Sequence, residues 1–133
     1  MNFEEIRQTV TIDAKPDEVY DAYLDPKRHS EFTGSPASGT TRVGGKFTAW
    51  DGYSWGRFLV LEKGKRIVHE WQTTEWPKGY PPSLVELTFK PARGKTALTM
   101  LHTKVPAEQA EEYAQGWREY YWEPLKRYFK RRG

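Results

Sequence analysis

From residue 106 onward the chain carries one apolar stripe at helical spacing: Ala110, Tyr113, Ala114, Trp117, Tyr120, Tyr121, Leu125, Tyr128 and Phe129. Residues three and four apart share a helix face, and a stripe this rich in aromatic rings has to be covered. Pro106 is placed to open that helix. Pro124 has no backbone donor to give, which predicts a bend near Tyr120 and Tyr121.

The cover has to come from strands, because residues 46–105 read as short β runs. "KFTAWDG", "WGRFLVLEK", "RIVHEWQTTEW", "LVELTFKP" and "TALTMLHTKV" are separated by turn residues, the pattern of an antiparallel meander. "EEIRQTVTIDA" alternates Ile6, Gln8, Val10 and Ile12 against Arg7, Thr9 and Thr11, a further strand at the start. Pro16, with Asp17 and Glu18 behind it, opens a helix that Pro26 stops, and a second short helix follows. "GSPASGTTRVGGK" is a loop running into a strand. The sum is one α+β domain over residues 1–133. Two short helices follow its first strand, and a curved antiparallel sheet of about six or seven strands is wrapped on a long C-terminal helix.

A chain of 133 residues buries a full core for one domain. It has no cysteine, which excludes disulfides, thiolate metal sites and a cysteine nucleophile. The N-terminus lacks the basic start and apolar run of a secretory leader, and no apolar run reaches membrane length, so a cytoplasmic protein without membrane insertion is expected. The net charge of +3 is concentrated at the end, where residues 126–133 hold five basic side chains and no acid. Such a run complements the negative end of a helix dipole and does not by itself point to nucleic acid.

Four motifs sharpen the reading: "VGGKF" (43–47), "DGYSWGRFLVLEKGKRIVHEW" (51–71), "WPKG" (76–79) and "GWREYYWEPLK" (116–126). In this order and spacing they resemble the C-terminal domain of the activator of the ninety-kilodalton heat-shock protein ATPase. That family is AHSA-type, within the START-like helix-grip superfamily that includes the birch-pollen-allergen type. The resemblance covers essentially the whole chain and implies the helix-grip fold. It implies either a ligand held under the long helix, as in carriers of lipids, sterols or hormones, or a chaperone partner. The separate N-terminal domain, with which the eukaryotic activator makes a major chaperone contact, has no counterpart in these residues.

Alternation within the strands places Phe47, Leu59, Leu61, Ile67, His69, Trp71, Val85, Leu87, Phe89, Leu98, Met100 and His102 toward the helix, facing Trp117, Tyr120 and Tyr121. Pockets for apolar ligands are built from such residues with a few polar groups. A non-enzymatic domain holding a small apolar ligand is therefore the first expectation, with no cofactor. Trp76 and Trp122, with Arg118, Lys126 and Arg127, make the second, a chaperone-linked interaction surface. His69 and His102, mid-strand among apolar neighbours, supply the third, a cavity enzyme using imidazole as acid or base. Three histidines without Cys make a poor zinc set, and neither a G-x-S-x-G elbow nor a helix-opening phosphate loop occurs.

Overall fold

The structure, a computed structural model, describes residues 1–132, with side chains described through Lys130. The elements run β1 (Phe3–Ile12), α1 (Pro16–Leu24), α2 (Pro26–Thr33), β2 (Ser38–Gly39), β3 (Lys46–Ala49), β4 (Ser54–Glu62), β5 (Arg66–Thr73), β6 (Ser83–Ala92) and β7 (Lys95–Pro106). The C-terminal helix consists of α3 (Ala110–Trp117), a π-helical segment (Arg118–Trp122) and α4 (Glu123–Arg132). Among the described residues the strands form one curved antiparallel sheet in the order β1-β7-β6-β5-β4-β3-β2. β2 through β7 is thus a continuous meander, while β1 adds at the far edge beside β7. The two short helices carry the chain from one edge to the other.

Local chemistry explains the helical corner. Pro16 sits in the first turn of α1 with Asp17 and Glu18 behind it, where a missing N–H costs nothing and negative charge faces the positive helix end. The Asp25 side chain then caps α2 by accepting from the Arg28 backbone N–H at 3.1 Å, and Gly34 ends α2 in the left-handed conformation. Arg28 extends from α2 over the rings of Tyr128 and Phe129, 5.8–5.9 Å from each, which ties this corner to α4. No helix among the described residues is long and apolar enough to cross a membrane.

The sheet departs from simple alternation in β4. Phe58 pairs with His69 but Val60 pairs with Val68, so one residue is bulged out between them. The bulge reverses the faces: Phe58 is buried, Leu59 is 36% exposed, and Leu61 returns to pack on the core. Leu59 therefore does not face the helix as alternation predicts.

Two residues earlier, Gly56 lies beneath the neighbouring strand, and a Cβ there would run into the backbone carbonyl of Glu70 and the ring of Phe47. That carbonyl accepts a hydrogen bond from His69 Nδ1 at 2.7 Å. Gly56→Ala is accordingly expected to destabilise the fold by about 2 kcal/mol or more, because backbone rather than a flexible side chain has to move. A urea midpoint equal to wild type would show that the strands separate at no cost.

The predicted bend is present as the π segment. In a regular α-helix the Pro124 ring would press on the carbonyl of Tyr120 and leave it without a donor. Here the Glu123 N–H reaches back five residues to the Arg118 carbonyl, and the wider turn absorbs the conflict. The extra residue also shifts the phase of the stripe, so that Tyr121 and Trp122 are both buried, at 5% and 4% exposure. Trp122 is consequently not a surface anchor. It stacks on Trp117 with centroids 5.5 Å apart, and its indole N–H donates to Gln8 Oε1 at 2.7 Å, fastening the helix to β1.

Candidate functional site

Ile67, Leu87, Phe89 and Met100 are buried side by side in the packed core, so the deep space under the helix is filled by side chains. Beside that core an aromatic cleft of about 310 Å³ lies where the turn between β3 and β4 meets α3 and the π segment. Trp50 and Tyr53 supply one wall, Trp71 of β5 the base, and Glu112, Tyr113, Gly116, Trp117, Tyr120 and Tyr121 the other wall. This volume lies at the lower end of the range for small-molecule sites.

Each wall has a local cause. Trp50 and Asp51 both adopt left-handed backbone, with φ of 56° and 55°, and Gly52 follows at 88°. Holding a bulky residue there costs about 1–3 kcal/mol, and it is offset by what the ring then touches. The Trp50 indole lies edge-to-face with Tyr120 and Tyr121 at centroid distances of 5.7 and 5.8 Å. Gly116 is a glycine inside a helix, where a Cβ would meet nothing nearer than the Tyr120 ring at 3.9 Å. The missing side chain leaves space in the cleft. The Tyr113 hydroxyl donates to Gln109 Oε1 at 2.9 Å and accepts from Thr73 Oγ1 at 2.8 Å, which fixes the start of α3 over the end of β5.

Behind the cleft lie all three histidines, each buried and each with both ring nitrogens engaged. Carbonyl partners decide the tautomers. His29 Nδ1 donates to the Tyr23 carbonyl at 2.7 Å, leaving Nε2 to accept from the Tyr121 hydroxyl at 3.3 Å. His69 Nδ1 donates to the Glu70 carbonyl, and its Nε2 accepts from the Tyr23 hydroxyl at 2.8 Å. His102 is reversed: its Nδ1 accepts from the Trp117 indole N–H at 3.1 Å, and its Nε2 donates to Ser83 Oγ at 2.8 Å. The Ser83 hydroxyl passes the chain on to the Trp71 carbonyl at 2.6 Å. Burial penalises the imidazolium, lowering the pKa of His29 and His69 to about 4 and that of His102 to about 3. Desolvation likewise drives the Tyr23 and Tyr121 phenols upward. These imidazoles are neutral, saturated members of a structural network, with no nitrogen open to a substrate.

Of the residues expected to line a cavity, Trp71, Trp117, Tyr120 and Tyr121 come together in the cleft. Phe47 and His69 instead face a crevice of about 20 Å³ beside α1 and α2, too small for a ligand. His102 lies in the network, in edge-on contact with Trp71 and Trp117. Tyr120 is 56% exposed and stands at the cleft mouth. Among the expected partner-surface residues, Arg118, Lys126 and Arg127 are exposed on the helix, with Lys126 near Glu123 at 3.6 Å. Trp76 is half-buried, its indole N–H donating to the Pro81 carbonyl at 3.0 Å and its ring packed on Trp71 and Tyr113. Trp50, Tyr53, Glu112, Tyr113 and Gly116 are cleft residues that the alternation argument does not reach. The signal for the first two is an aromatic on each side of the "DG" turn; for Gly116 it is a glycine in the middle of an aromatic helix.

Comparison with known proteins gives a consistent result. A family profile described as "Activator of Hsp90 ATPase homolog 1-like protein" matches residues 13–130. The human activator of 90 kDa heat shock protein ATPase homolog 1 is 36% identical over 114 residues, 86% of this chain and 33% of the relative. An uncharacterized protein of Schizosaccharomyces pombe is 33% identical over 129 residues, 97% of this chain and 38% of the relative. The crystal structure of an HSP90 activator from Plasmodium falciparum superposes with a TM-score of 0.85 at 24% identity, covering 92% of this chain and 93% of that one. This chain thus spans about a third of the length of the curated relatives it matches.

Proposed function

The chain belongs to the family of Activator of Hsp90 ATPase homolog 1-like proteins, and from that premise we propose that it is a non-enzymatic module that binds an ATPase chaperone of the 90 kDa class. The observation carrying this reading is the extent of the kinship, which spans strands, cleft and C-terminal helix in a single match. The named relatives are activators of a chaperone's ATPase, and the engaged nitrogens of all three histidines leave no imidazole open as acid or base. The exposed helix residues Arg118 and Arg127, with Tyr120 beside the cleft, form the contact surface.

Binding is the appropriate readout, since the chain matches about a third of its curated relatives. Titrating the protein into a purified chaperone of this class in a calorimeter should give saturable binding that weakens with salt. The double substitution Arg118→Glu and Arg127→Glu should lower affinity about tenfold or more. Absence of binding with nucleotide and without it would overturn the reading.

A second reading, a small apolar ligand held in the same domain, is favoured by the aromatic cleft itself. Gly116→Leu separates the two, because a side chain at that position fills the cleft without deleting a buried contact. Loss of ligand binding with chaperone binding intact identifies the cleft as a ligand site; loss of both makes it part of the chaperone interface.

A further inference from the structure

The composition of the cleft wall is unusual in what it combines. Its side chains are aromatic apart from one, the carboxylate of Glu112, and no lysine or arginine lines it. Several rings stand at right angles to their neighbours: Trp71 and Tyr113 meet at 89° with centroids 4.9 Å apart, and Trp50 and Tyr120 at 73°. An aromatic face is the negative side of the ring quadrupole, so a cation entering a concavity walled by rings is attracted wherever a face is presented to it.

Two acids add to this field. Glu112 makes no ion pair among the described residues, so its charge is uncompensated at the rim. Glu75 accepts from the hydroxyl of the cleft residue Tyr53 at 2.6 Å, bringing a second carboxylate up behind that wall. An apolar site with a negative potential and without a donor cation rejects carboxylates and phosphates. It suits a positive charge whose own surface is apolar.

We propose that the cleft is a recognition site for a small organic cation bearing an alkylated ammonium group, held over the faces of Trp50, Trp71 and Tyr120 with Glu112 as the counter-charge. This rests on the reading of the cleft as a ligand site and names the class of ligand. The alkyl groups satisfy the aromatic walls by contact, the delocalised charge satisfies the ring quadrupoles, and the carboxylate supplies long-range attraction that needs no direct hydrogen bond.

The test uses two probes of one shape, meta-hydroxyphenyltrimethylammonium and its uncharged isostere meta-tert-butylphenol, titrated into the intact protein while tryptophan fluorescence is followed. The cation is expected to bind about tenfold more tightly than the isostere. Tyr120→Leu, which keeps an apolar side chain at the exposed cleft mouth, should abolish most of that preference by weakening the cation much more than the phenol. Glu112→Gln should weaken the cation about threefold and leave the phenol unchanged. Equal affinity of the two probes overturns the cation assignment and leaves the cleft as a neutral apolar site. No binding of either at millimolar concentration overturns both the assignment and the ligand reading beneath it. Wild-type preference in Tyr120→Leu places the cation elsewhere and also overturns the proposal.

Discussion

Acidifying the protein from about pH 7.5 to about pH 5 is expected to remove about 6 kcal/mol of its unfolding free energy, about 2 kcal/mol for each buried histidine. In the folded state the three imidazoles hold out against protonation down to about 4, 4 and 3, whereas an unfolded chain takes up a proton at an ordinary value near 6.5. Their folded pKa values lie below the unfolded ones, so the unfolded state binds more protons in that interval and gains from every fall in pH. Stability is full above the unfolded value and is lost as pH drops below it, with a slope approaching three protons. Domains hold only about 5–15 kcal/mol in reserve, so a loss of this size brings the protein near its transition at pH 5. Urea titrations at half-unit pH intervals measure it. Imidazole is the only side chain whose ordinary pKa falls in this window, so a flat profile between about pH 7 and pH 5.5 would mean that the network protonates without unfolding. A His69→Gln variant should keep the dependence but lose a third of its slope.

Trp117→Ala is expected to cost about 4 kcal/mol, within the range for deleting a buried tryptophan. The side chain is 2% exposed and touches four other rings, with centroids 4.6 Å from Tyr121, 5.5 Å from Trp122, 5.6 Å from Trp71 and 5.8 Å from His102. Its indole N–H is also the donor to His102 Nδ1. Trp117→Phe separates the two contributions: it keeps most of the packing and orphans the Nδ1 acceptor, which costs about 1–3 kcal/mol. Chemical denaturation gives both numbers, and the histidine nitrogen shifts in an NMR spectrum report the freed Nδ1. A Trp117→Phe variant as stable as wild type would show that the hydrogen bond contributes nothing.

Much of the architecture is legible in residue spacing, because spacing reports which face an element buries. The stripe from Ala110 to Phe129, Tyr120 apart, and the alternation of Ile6, Val10 and Ile12 appear as the helix and the strand they predict. What spacing does not reveal depends on two segments at once. Whether Phe58 or Leu59 turns inward is decided by the offset between β4 and β5, and the offset is a property of the pair. Pro124 announces that its helix must deform, but whether by a kink or by an added residue depends on what Tyr121 and Trp122 find beneath them. The cleft was half visible for the same reason. Its helix wall carries the stripe, while its other wall depends on the left-handed backbone of Trp50 and Asp51, which no residue preference would select. His69 and His102 stand out in the sequence as buried and polar, and only the positions of their partners, 15 to 46 residues away, identify them as structural, whereas the burial of His29 has no signal in spacing.

The widened turn at 118–122 has a consequence for how this chain is compared with others. A π turn is one residue more than an α-helix needs, so a helix of the same length without it reaches its end one residue sooner. Leu125 and Phe129 keep their places on the sheet only because that surplus residue is there. Lined up with a homologue lacking the turn, the two halves of the helix correspond only when a single-position gap is opened inside this segment. An ungapped comparison would rotate every position beyond it by about 100° and score buried residues against exposed ones.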